Sequence, residues 1–324
     1  MLRKIMWTLI VLIAGFAVLY AVGPRTPVDT EISVDTRSIG ADPEAAIARS
    51  EANVPGIREG AEKQIVWAFP QSRARTPLAI VYVHGFSASA QEVRPLPDLV
   101  ARALGANLFF TRLTGHGQNG EALARATVND WINDLAEALA VGKALGGKVV
   151  VMATSTGGSL VTWAAAQPDL ARNMDAVVLI SPNYQLKAPG SFLLTQPWGM
   201  QMADMIVGPE RSFEPRNEAH ARHWTTRYPT RALMPMAASV DLANSVFPEM
   251  IDLPALFIYA PGDAVVDQTA TAAKAAKWAG PHAVVEVTDS VNPSQHVIAG
   301  DILSPNTTQR LADRTVAWIR GLAL

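Results

Sequence analysis

Cysteine is absent from the 324 residues. That excludes a disulfide framework, a thiolate zinc site, an iron–sulfur cluster and a cysteine nucleophile. It leaves the compartment open, because an oxidising space permits disulfides without requiring them. Charge is scarce too: Asp, Glu, Lys and Arg make up 17% of the chain, against about 25% in ordinary globular proteins. The signs nearly cancel, 27 Lys and Arg against 29 Asp and Glu, so no field of one sign draws the molecule to nucleic acid, and a nucleic-acid partner is not expected. Internal repeats and low-complexity tracts are missing as well. Apolar side chains are plentiful, at 49% of residues, which supplies a large core and is incompatible with global disorder. One large α/β domain with additions fits the length.

One apolar run stands apart from the rest. Arg3 and Lys4 precede the uncharged stretch Ile5 to Val22, which as a helix rising about 1.5 Å per residue covers about 27 Å of hydrocarbon. The preceding positive charges put the N-terminus in the cytoplasm and everything after Pro24 on the periplasmic or extracellular side. Residues 1–24 are therefore expected to be a retained single-pass anchor. The alternative is a signal peptide whose removal secretes the protein, but Leu19 and Ala21 are poor cleavage positions. Residues 25–60, rich in Pro, Asp, Glu, Arg and Ala without sustained periodicity, read as a tether with one short helix at Pro43 to Glu51.

From Gln64 the pattern alternates between β and α. Strands are expected at Ile65 to Phe69, Leu78 to Val83, Asn107 to Leu113, Val149 to Ala153, Ala176 to Ile180, Ala255 to Ala260 and Ala283 to Val287, with helices such as Val128 to Leu145 and Thr269 to Ala279 between them. The fold class is therefore α/β, a mostly parallel sheet with helices on both faces. The core is assigned to residues 61–181 and 251–324. Between them the rhythm breaks, and residues 182–250 hold six of the ten Met residues together with Phe192, Trp198, Phe213, Trp224, Tyr228 and Phe247. No clear strand is visible there. Met and aromatic side chains make adaptable apolar surfaces, so this insertion is expected to be a cap or lid over a pocket for acyl chains, or simply to pack onto the sheet.

The most informative stretch is Val149-Val150-Val151-Met152-Ala153-Thr154-Ser155-Thr156-Gly157-Gly158, a β-branched strand running through a small-residue turn into a helix. A nucleophile elbow requires that context. The turn forces Ser155 into a strained backbone conformation, so its neighbours must be small. Gly157 meets the demand, and Ala153 stands where G-x-S-x-G expects glycine. The N–H of Thr156, at the start of the helix, points where an oxyanion would form. A serine alkoxide is inaccessible near neutral pH, so a histidine must take its proton and a carboxylate must hold that histidine's tautomer. Of the two histidines late in the chain, His282 begins a strand, whereas His296 lies in a polar loop after the last one and is the better base. Asp263, just beyond the carboxyl end of a strand, is the better acid, because its competitor Asp267 occupies a natural helix N-cap.

These features together resemble the serine α/β-hydrolases, in particular the branch of monoacylglycerol lipases and small bacterial carboxylesterases. The resemblance rests on Val83-His84-Gly85-Phe86, Gly115-His116-Gly117, Asp130-Trp131 with Asp134, the elbow, Gly262-Asp263 and His296-Val297-Ile298, over roughly residues 77–181 and 253–320. It implies the α/β-hydrolase fold and a second oxyanion donor at the backbone N–H of Phe86. His84 and His116 are expected to shape loops at the substrate pocket, with His116 a candidate for substrate contact.

The expected activity is hydrolysis of small-molecule or lipid carboxylic esters by Ser155, His296 and Asp263 through an acyl-enzyme. Thioesterase, acyltransferase and aminopeptidase chemistry use the same machinery, and a peptidase would need a carboxylate such as Glu210, Glu214 or Glu218 in its pocket. A membrane-anchored binding protein that has lost turnover is the alternative outside catalysis. No metal or organic cofactor is implied: Gly115 to Gly120 spells G-x-G-x-x-G outside a first βαβ unit, and His220 with His223 lacks a third ligand at obvious spacing. Nothing in the pattern specifies an oligomeric state.

Overall fold

The computed structural model describes residues 1–40, 42–322 and 324. Seven strands form one sheet in the order β1-β3-β2-β4-β5-β8-β9: β1 (Gln64–Val66), β2 (Thr76–Val83), β3 (Asn107–Phe110), β4 (Gly146–Thr154), β5 (Ala176–Ile180), β8 (Ala255–Tyr259) and β9 (His282–Glu286). β1 pairs antiparallel with β3, and every other pairing is parallel. The helices are α1 (Leu2–Val22), α2 (Pro43–Glu51), α3 (Leu96–Leu104), α4 (Gly120–Leu123), α5 (Val128–Leu145), α6 (Thr156–Ala165), α7 (Pro168–Ala171), α8 (Gly199–Val207), α9 (Glu218–His223), α10 (Leu233–Ser245), α11 (Gln268–Ala276) and α12 (Pro305–Gly321).

Alternation within the strands builds two cores. Val81, Val83, Val149, Val151, Ala153, Val177, Leu179 and Phe257 pack on one face with α5, α6 and α10. Ile80, Tyr82, Val150, Met152, Val178, Ile180, Leu256 and Ile258 pack on the other with α3 and α12. Such strands read as continuous apolar runs because both faces are covered, and each fully buried aliphatic side chain contributes about 1.5–3 kcal/mol. Local chemistry sets the limits of α5. The Thr127 Oγ1 accepts the Asp130 N–H while the Asp130 carboxylate accepts the Thr127 N–H, a reciprocal cap that satisfies donors otherwise orphaned at a helix start.

Two expectations change. The 182–250 segment does contain strands, a short hairpin of β6 (Glu210–Ser212) and β7 (Arg227–Pro229). β6 is exposed throughout, so it carries no apolar alternation that a sequence could display. The stretch expected as a tether is held against the body: Ile39 and Ile47 enter the core beside α5, and Glu51 forms an ion pair with Arg112 at 2.7 Å.

Candidate active site

β4 ends at Thr154 and α6 begins at Thr156, leaving Ser155 alone in the reversal with φ 51° and ψ −116°. This is strained for a residue with a Cβ. The reversal is tight because α6 starts against the end of β2: a Cβ on Gly157 would lie 2.5 Å from the Val83 carbonyl oxygen and 2.7 Å from that of His84. Ala153 is fully buried, and its methyl joins the core on the α5 and α6 face.

Beyond β8 and β9, two loops meet above this elbow. The Ala264 N–H donates to the Ser294 carbonyl at 2.8 Å, which ties the turn carrying Asp263 to the loop carrying His296. Asn292 braces the second loop by accepting the Ser294 N–H and donating to the Val297 carbonyl. Asp263 is fully buried. Its Oδ1 accepts the N–H groups of Val265 and Val266 at 2.7 and 3.0 Å, and its Oδ2 lies 2.7 Å from His296 Nδ1. His296 Nε2 is 3.0 Å from Ser155 Oγ. The carboxylate end of this chain is thus an acceptor, which leaves Nδ1 the proton and Nε2 a lone pair facing the serine hydroxyl. Asp267 caps α11 by accepting the Thr269 N–H.

Ser155, Thr156, Phe86 and His296 line one cleft of about 360 Å³, together with Asn183, Leu186, Phe213, Trp224, Tyr228, Met236, Val265 and Leu303. Ser87, His220, Asn292 and Ser294 also line it, so apolar and aromatic side chains, most of them from the 182–250 segment, alternate with polar groups around the cleft. Among the described residues, neither the Phe86 nor the Thr156 backbone N–H has an acceptor within the protein. Arg211, Glu214 and Arg216 stand at the rim, whereas Glu210 pairs with Arg227 outside the cleft. Phe192, Trp198 and Phe247 lie elsewhere.

His84 and His116 do not reach the cleft. Both are fully buried beneath it, their rings 4.7 Å apart, and His116 packs against Phe86 and Trp131. His84 accepts the Leu113 N–H at Nε2 and donates from Nδ1 to the Gly85 carbonyl. Burial lowers its pKa to about 4, and burial likewise holds His116 well below the ordinary histidine value. Two neutral rings therefore pack beneath the Phe86 turn. His220 and His223 share α9, where His220 Nδ1 accepts the Arg216 N–H. Among the described residues no cluster of three or more His, Asp or Glu has a metal-ligand arrangement.

Glu92 is the residue that sequence reasoning passes over. It is 2% exposed, yet its Oε1 accepts the Gly85 N–H at 2.6 Å and the Tyr82 hydroxyl at 2.8 Å. Burial raises its carboxyl to about 7, against the lowering influence of the Gly85 and Tyr82 hydrogen bonds and of His296. A single Glu in a polar turn gives no sequence signal of burial.

Comparison with known proteins came to the same architecture. The profile of the alpha/beta hydrolase family matches residues 80–317. A thermostable monoacylglycerol lipase of Bacillus sp. strain H-257 is 33% identical over 95 residues, which is 29% of this chain and 38% of that protein's length. Among solved structures, one from the metagenome-derived lipolytic enzymes LipS and LipT superposes with a TM-score of 0.67 at 22% identity, covering 82% of this chain and all of its own. A soluble variant of the monoglyceride lipase of Saccharomyces cerevisiae superposes with a TM-score of 0.62 at 13% identity, covering 81% of this chain and 92% of its own. At these identities the superpositions establish the α/β-hydrolase fold.

Proposed function

The chain belongs to the alpha/beta hydrolase family, and on that footing we propose that it hydrolyses carboxylic esters through an acyl-enzyme formed on Ser155. The observation that carries the reading is the unbroken hydrogen-bonded chain from Ser155 through His296 to buried Asp263 at the edge of the cleft. In this reading Ser155 Oγ attacks the acyl carbonyl as His296 Nε2 takes its proton. The negative charge that develops on the carbonyl oxygen is held by the Phe86 and Thr156 N–H groups; removing one such donor typically costs about 100- to 1,000-fold in rate. His296 then returns the proton to the leaving alcohol oxygen. Water attacks the acyl-serine by the same exchange, with His296 again as base, and releases the acid. Asp263 keeps the imidazole oriented and stabilises its cationic form.

The apolar and aromatic side chains of the cleft favour an aliphatic acyl group, and the names of the Bacillus and yeast relatives support monoacylglycerol-like lipid esters as the substrate class. An aminopeptidase reading is less well supported. Of the carboxylates Glu210, Glu214 and Glu218, only Glu214 lines the cleft, and Arg211 and Arg216, which line it too, leave no surplus negative charge for a free ammonium group. Residues 182–250 act as the cap in this reading, on the core of residues 61–181 and 251–324.

We assign α1 to a membrane anchor that presents the catalytic domain on the far side of the bilayer. An 18-residue stretch within it has a mean hydropathy of 2.5, and none of its 21 residues is buried. Its end is fastened to the cap: the Trp198 indole donates to the Leu19 carbonyl, and the Tyr20 hydroxyl donates to Gln196. A disposable leader would need no such seat. Turnover of p-nitrophenyl esters of increasing chain length, by wild type beside Ser155→Ala, tests the activity. Turnover lost in the variant is expected; turnover preserved overturns the assignment of the nucleophile.

A further inference from the structure

We propose that Glu92 is a positioning residue for acyl transfer, its carboxyl clamping together the two chain segments that meet at Ser155. The inference rests on the proposed roles of Ser155 and of the Phe86 N–H. One arm of the clamp is the hydrogen bond from the Gly85 N–H to Glu92 Oε1, which fixes the turn immediately before the Phe86 amide. The other arm runs through Tyr82: its hydroxyl donates to the same Oε1 and lies 2.7 Å from Thr154 Oγ1, the last residue of β4 before the elbow. One carboxyl oxygen therefore indexes the oxyanion turn against the nucleophile's strand.

The approach is close. A Cβ placed on Gly85 would lie 3.1 Å from Glu92 Oε2 and 3.2 Å from Ser155 Cβ, so only the space of a missing side chain separates the carboxyl from the serine. From the opposite side the loop after β9 closes on the same residue, a Cβ on Gly300 falling 2.5 Å from the Glu92 carbonyl oxygen. The titratable groups facing the carboxyl are Tyr82 from β2 and His296 from that loop. Among the described residues Glu92 makes no ion pair. A buried carboxyl without a cation costs stability that an apolar side chain of similar size would not. Packing gives no reason for a glutamate here, whereas holding the Gly85 amide and the Tyr82 hydroxyl does.

What the site needs from Glu92 is a carbonyl-type acceptor, which Gln also offers and Leu does not. In the full-length protein, Glu92→Leu is expected to lower kcat for a p-nitrophenyl ester by about tenfold or more, part of what outright loss of an oxyanion donor costs, while KM changes by less than about threefold because the cleft walls are untouched. Glu92→Gln is expected to recover kcat to within about fivefold of wild type. Tyr82→Phe, which cuts only the arm to Thr154, should fall between them and serves as the test if Glu92→Leu does not fold. Wild-type kcat in Glu92→Leu, or in Tyr82→Phe where Glu92→Leu is unfolded, overturns the proposal. So does a Glu92→Gln variant as impaired as Glu92→Leu, since charge rather than the acceptor would then be what matters. Turnover preserved in Ser155→Ala marks a different failure, that of the nucleophile assignment.

Discussion

Replacing Glu92 by Gln should change how stability depends on pH, by an amount the structure sets. Burial lifts this carboxyl from its ordinary 4.5 to about 7, so between those values the folded chain retains a proton that the unfolded chain has released. The contribution to stability is complete below pH 4.5 and is lost as pH rises through 7, at about 1.36 kcal/mol for each pH unit of the shift. The whole loss comes to about 3 kcal/mol. Gln has no proton to lose and keeps the acceptor for Gly85, so wild type should lose about 3 kcal/mol relative to Glu92→Gln between pH 4.5 and 8. Urea unfolding of both proteins in the same detergent, at half-unit steps of pH, measures that difference. Comparing the pair cancels Asp134, whose carboxyl is also raised, from 3.8 to about 6, chiefly by burial. A constant difference across the range would refute the reasoning, because it would mean that Glu92 is ionised in the fold with an ordinary affinity for its proton.

Asp263→Asn should lower kcat by about 10,000-fold with little change in KM, because the amide stabilises the wrong imidazole tautomer; steady-state kinetics on one ester decides it. Gly157→Ala puts a methyl 2.5 Å from the Val83 carbonyl oxygen, so the elbow must shift. Overpacking of this kind costs about 1–3 kcal/mol, and the variant should lose both turnover and thermal stability, as activity assays and melting curves would record. If α1 is retained, the full-length protein should resist alkaline carbonate extraction from membranes and keep its own N-terminus; a soluble product beginning near Pro24 would contradict the anchor.

Much of this architecture was legible because it is written in local chemistry. Pro43 to Glu51, Val128 to Leu145 and Ala176 to Ile180 begin and end where sequence reading puts them, since a capping Asp or Thr, a following Gly or a β-branched run settles each boundary. That Ser155, Asp263 and His296 come within hydrogen-bond reach of one another was anticipated for a related reason: Ser155 directly follows β4, Asp263 lies in the turn after β8 and His296 in the polar loop after β9, among small or polar neighbours. What escaped depends on tertiary packing. His84 and His116 flank glycine in conspicuous motifs, yet burial turns them inward to pack beneath the Phe86 turn. Glu92 looks solvated until Tyr82 of β2, the Gly85 turn and the Gly300 loop enclose it. The β6 and β7 hairpin has three-residue strands with exposed charged side chains, too short and too polar for any periodicity to reveal.

The central claim is that Ser155 is an activated nucleophile, and a fluorophosphonate probe tests it most directly. The account predicts stoichiometric labelling that blocks ester turnover, with the phosphonyl group found by mass spectrometry on the peptide containing Ser155 and no labelling in Ser155→Ala. Folded wild-type protein that takes up no probe, or that carries it on another residue, would contradict it.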